Sequence, residues 1–76
     1  MEINWYVVVS PLESEPPGGY VVPPLREAAL REALRGVTLG AYDERIIAWM
    51  VWFLDDSTMR TVVSLIERAR LAEASR

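Results

Sequence analysis

The dipeptide Pro23-Pro24 divides this chain more sharply than any other feature. Proline cannot donate to a sheet ladder, so a strand ends there. Proline is also well tolerated at the first position of a helix, where the missing N–H would be unpaired anyway. What precedes the pair is therefore extended or looped, and a helix begins at it.

On the N-terminal side, Ile3 to Val9 is aromatic and β-branched, which predicts a strand. Pro11 stops it, and Pro16-Pro17-Gly18-Gly19 is a loop signal. Tyr20-Val21-Val22 is expected to return as a short second strand. Residues 3–22 then form a strand or small β-hairpin. Two strands alone are barely stable, so this ribbon must pack on helices.

The C-terminal side predicts three helices. The first spans 24–35, with Leu25, Ala29, Leu30, Ala33 and Leu34 in one half of its wheel. Gly36 follows as a natural terminator. The second spans 41–54, with Asp43 and Glu44 in its first turn, where the helix dipole favours acids. Beyond that turn it is apolar nearly all round, the mark of a helix central to a core. The third spans 57–74, capped by Asp56 or Ser57, with Met59, Val62, Val63, Ile66 and Ala69 as its apolar stripe. The fold class expected is mainly α with a minor β element, in one domain covering 1–76.

A chain of 76 residues buries only about 60% of its unfolded surface, so it needs reinforcement. There is neither cysteine nor histidine, so no disulfide forms and the usual zinc ligands are missing. Oligomerisation is the remaining common device. Apolar residues make up 51% of the chain, and mean hydropathy is +0.12. The longest apolar run, Ile46 to Leu54, has 9 residues, against roughly 20 for a membrane span. Met1-Glu2-Ile3-Asn4 lacks the positive region of a signal peptide, so a cytoplasmic location is expected.

The residue set also limits chemistry. Without histidine and cysteine, the usual general base and thiol nucleophile are missing, and no catalytic, cofactor or metal residues are assigned. Asp55-Asp56 reads as a helix cap rather than a magnesium site. Gly18-Gly19 is followed by Tyr-Val-Val and two prolines rather than a helix, so it does not read as a phosphate loop. An enzyme is not expected.

Two kinds of partner stay open. Helices two and three, joined by Asp55-Asp56-Ser57, outline a helix-turn-helix. In that reading Ser57, Thr58, Arg60, Thr61, Ser64 and Arg68 contact DNA. The net charge of −3 counts against it. The favoured reading is a protein interface. Trp49 and Trp52 stand one turn apart, and Ala48, Val51 and Trp52 form a second apolar surface beside the stripe of Tyr42, Ile46, Trp49, Met50 and Phe53. Leu71 is a further exposed apolar candidate on the third helix. If Trp52 does not simply cover Trp5 or Tyr6, such anchors serve association, most often as a two-fold homodimer.

Gly40-Ala41-Tyr42-Asp43-Glu44-Arg45-Ile46-Ile47-Ala48-Trp49, followed by Asp56 to Arg70 with Ser64-Leu65-Ile66-Glu67-Arg68-Ala69-Arg70, resembles short uncharacterised proteins of actinobacteria and their phages. The resemblance covers the C-terminal half. All eight basic residues are arginine, which agrees with a GC-rich source. The resemblance implies no activity. The expected function is a small non-catalytic, self-associating interaction module; a host protein is the other protein partner considered.

Overall fold

A computed structural model describes residues 7–75. Three helices follow one another: α1 (Pro23–Ala33), α2 (Ala41–Phe53) and α3 (Asp56–Ala74). Each matches an expected helix to within a few residues, and the main differences are at the caps. Helix α1 begins one residue early, because Pro23 as well as Pro24 fits the first turn. Helix α3 is capped by Asp55, whose carboxylate accepts from the Thr58 N–H at 2.8 Å. Helix α2 starts after Gly40, whose N–H donates to the Asp43 carboxylate at 2.9 Å.

The expected strand or hairpin is not seen: no strand occurs among the described residues. Ile3 to Tyr6 lies outside them, as does any packing of Trp52 on Trp5 or Tyr6. Val7 to Val9 and Tyr20 to Val22 carry no regular secondary structure. Three backbone groups of residues 7–22 bond to side chains of α3 instead. Ser64 Oγ donates to the Val8 carbonyl, Arg60 Nη2 donates to the Gly19 carbonyl at 3.3 Å, and the Val21 N–H donates to Asp56 Oδ2 at 3.1 Å. Asp56, Arg60 and Ser64 recur every four residues, so one flank of α3 presents all three groups. A buried backbone group needs a partner, and here the helix flank supplies what a second strand would have supplied.

The core is built from Val21, Ala29, Leu30, Ala33, Ile47, Val51, Met59 and Val63. Helix α1 is the central element: it packs on both α2 and α3. The sequence reading placed α2 there. Its composition is apolar all round, but only Ile47 and Val51 are buried, with Met50 and Leu54 packed partly against the core. Small residues explain the difference. Ala29 and Ala33 let neighbouring helices approach α1 closely, whereas α2 carries bulky rings on its outer side. Ion pairs flank the contacts. Arg31 bridges Glu27 and Glu44, at 2.8 and 2.7 Å, and Arg35 reaches Glu67 at 2.9 Å. The Arg31 pairs are solvent-exposed and are expected to add little to stability, whereas the Glu67 carboxylate is largely covered.

Candidate functional site

Helix α2 presents four aromatic side chains to solvent. Tyr42, Trp49, Trp52 and Phe53 are 69%, 51%, 68% and 73% exposed. At about 100° per residue they fall within an arc about 100° wide, on the side away from Ile47 and Val51. Trp49 and Phe53, four residues apart, stack with centroids 5.9 Å apart and planes 24° apart. Arg45 lies within the same arc and Ala48 about 40° beyond its Trp52 edge, both exposed. Together the four rings hold on the order of 500 Å² of accessible surface. That is near the upper end for the largest apolar patch of a typical monomer, about 300–600 Å².

The expected interface residues divide accordingly. Ala48, Trp49 and Trp52 lie on the exposed side of α2. Val51 is corrected: it is 2% exposed and belongs to the core. The expected main stripe is corrected in the same way. Tyr42, Trp49 and Phe53 face solvent, and the inward stripe is Ile47, Met50, Val51 and Leu54. The composition could not separate these stripes because both are apolar. Leu71 is half-exposed, but it lines a separate open groove of about 710 Å³ between the end of α1 and the last turns of α3, with no α2 residue in its wall.

The DNA-contact candidates are mostly turned to structural work. Arg60 and Ser64 are buried, held against the segment 7–22 as described, so neither is available to a base edge. Arg68 Nε donates to Ser64 Oγ at 3.1 Å. The Thr61 hydroxyl donates to the Ser57 carbonyl at 2.8 Å, and the Ser57 hydroxyl donates to Asp55 at 3.3 Å. Only Thr58 of the six is exposed.

One cluster escaped the sequence reading. Arg26 is 5% exposed on the apolar side of α1. Its Nη1 donates to the Leu54 carbonyl at the end of α2, at 2.8 Å, and its guanidinium lies 5.8 Å from the Tyr20 ring centre. Its Nε faces Asp56 Oδ1 at 3.8 Å, an ion pair too long to be a hydrogen bond. Arg26 shares its face of α1 with Ala29, Leu30 and Ala33, and a charge inside that stripe was the available signal. This cluster joins the segment before α1 to the α2–α3 turn and is structural.

Charge elsewhere follows the ion pairs. Hydrogen bonding to Arg31 holds the Glu44 carboxyl below its ordinary range. The Thr58 side chain, and next its backbone N–H, do the same for Asp55. Among the described residues no group of three or more acidic, histidine or cysteine side chains is arranged to hold a metal ion. None of the described helices is long and apolar enough to cross a membrane.

What the geometry defines, among the described residues, is a small unit of three helices with an aromatic face of α2 that is exposed to solvent. No protein-family model matches the chain, and comparison with curated proteins and with solved structures yields no match.

Proposed function

We propose that this protein is a small, non-catalytic interaction module that self-associates through the exposed face of α2. The observation that carries the reading is the arc of Tyr42, Trp49, Trp52 and Phe53, each at least half exposed. Aromatic anchors of this kind dominate binding energy where proteins meet. Water contact with four rings is unfavourable, and burying two such faces removes about 1,000 Å² in total, the lower bound for a specific interface. The small core supports the same reading: eight of the described residues are buried and apolar, and so small a core gains from further burial.

Light scattering across a micromolar concentration series tests this. The wild-type chain is expected at dimer mass, and Trp52→Arg at monomer mass with an unchanged helical circular dichroism spectrum. Trp52 is 68% exposed, so the substitution leaves the core intact. A wild-type monomer throughout the series overturns the reading.

A further inference from the structure

The exposed side of α2 is close to palindromic. Arg45 and Trp52 lie symmetrically about the midpoint between residues 48 and 49, Tyr42 and Phe53 about a point one residue earlier, and Trp49 near the centre. Arg45 and Trp52 share one edge of the exposed arc, while Tyr42 and Phe53 share the other. A two-fold axis perpendicular to a helix reverses its direction but keeps each edge on its own side. With the axis at the first of these points, Arg45 is level with the partner's Trp52, Tyr42 is within about 3 Å of level with the partner's Phe53, and the two Trp49 rings lie side by side. A parallel two-fold would instead exchange the edges, so that Arg45 meets the partner's Tyr42 and Phe53 edge and not its Trp52.

Charge agrees with this direction. Arg45 is exposed and has no ion-pair or hydrogen-bond partner among the described residues. It stands in the second turn of α2, away from the carboxyl end where the helix dipole favours a cation. In the antiparallel pair it reaches the carboxyl end of the partner helix, where the dipole favours it, and the face of an indole ring, the preferred aromatic platform for a guanidinium.

We propose that two copies of this chain pair through α2 in an antiparallel, two-fold arrangement, with Arg45 of each seated on Trp52 of the other. The proposal rests on the self-association reading above and adds direction and register to it. The surplus ring surface is the driving force, and Arg45 selects the orientation.

The chain has no cysteine, so single-cysteine variants carry one nitroxide label per protomer. Ala41→Cys and Ala48→Cys place labels at the start and the middle of α2, both at exposed alanines. In the antiparallel pair the two labels at 41 are separated along the helix axis by about 20 Å, and those at 48 by about 2 Å. The interlabel distance from dipolar spectroscopy is expected to be clearly longer for 41 than for 48. Equal distances mean a parallel pair and overturn the proposal while leaving self-association standing. In a second arm, Arg45→Glu is expected to weaken the dimer about tenfold with no change in monomer melting. An unchanged dimer affinity removes Arg45 from the interface and overturns the register. A dimer that withstands Trp52→Arg overturns the assignment of the interface to α2, and a wild-type chain that is always monomeric overturns self-association itself.

Discussion

The guanidinium of Arg60 occupies the space that a side chain at Gly18 would need. A Cβ built on Gly18 lies 2.8 Å from Arg60 Nε and closer still to its Cζ and Nη2. Gly18 has φ +135°, a conformation open to glycine and rarely to other residues. Arg60 in turn donates to the carbonyl of the next residue, Gly19. The loop and the arginine are thus fitted to each other: the loop can approach α3 only because it has no side chain there.

Gly18→Ala is therefore expected to destabilise the protein by about 1–3 kcal/mol, through backbone strain and displacement of Arg60. Gly19→Ala is the control, because a Cβ there meets nothing within 4 Å. It is expected to change stability by less than about 0.5 kcal/mol. Urea midpoints of the two variants check this, and equal losses would refute the fit between Gly18 and Arg60.

Arg26 and Asp56 hold the segment before α1, the α2–α3 turn and α1 itself at one point. Arg26→Met is expected to cost about 3–5 kcal/mol, because it strands a largely buried carboxylate and the Leu54 carbonyl. The double variant Arg26→Met/Asp56→Ala is expected to lose less than the sum of the two single losses. The shortfall in a double-mutant cycle measures the coupling. Strict additivity would mean that the 3.8 Å contact contributes nothing.

Acid should weaken the start of α3. The cap holds the Asp55 carboxyl below the ordinary aspartate range, so its folded pKa is lower than its unfolded one. Its contribution is complete above the unfolded pKa and is lost as pH falls through the folded one. Asp55→Asn keeps a capping oxygen but does not titrate. Thermal melts from neutral to strongly acid pH are expected to show a shallower loss of Tm for Asp55→Asn than for wild type. Parallel curves would show that Asp55 contributes nothing to acid sensitivity. Glu44, held low by Arg31, acts in the same direction in both proteins and cancels in the comparison.

The residues that misled the sequence reading share a cause. Arg60 and Ser64 have the composition of a solvated, nucleic-acid-facing flank, and they are buried because a segment without regular secondary structure needs donors. Val51 and Trp52 are neighbours of similar hydrophobicity, yet one is in the core and the other is 68% exposed. Periodicity identifies an inward face only when the opposite face is polar. On α2 it is not, so the surplus of apolar surface was legible and its orientation was not.

Local physics by itself determined the three helices. Proline at the start of α1, glycine near φ +83° after it, and acids in the first turns of α2 and α3 act within a few residues of their own position. The excess of apolar over buriable surface was equally a property of the chain alone. The tertiary structure decided the rest: that α1 is central, that the segment before α1 is tied to α3 through Val8, Gly19 and Val21, and that α2 turns Ile47 and Val51 inward and its rings outward. Those choices depend on which helices can approach most closely and on which side chains can bond to that segment's backbone. Such conditions link residues far apart in the chain, as Ser64 is linked to Val8 and Asp56 to Val21.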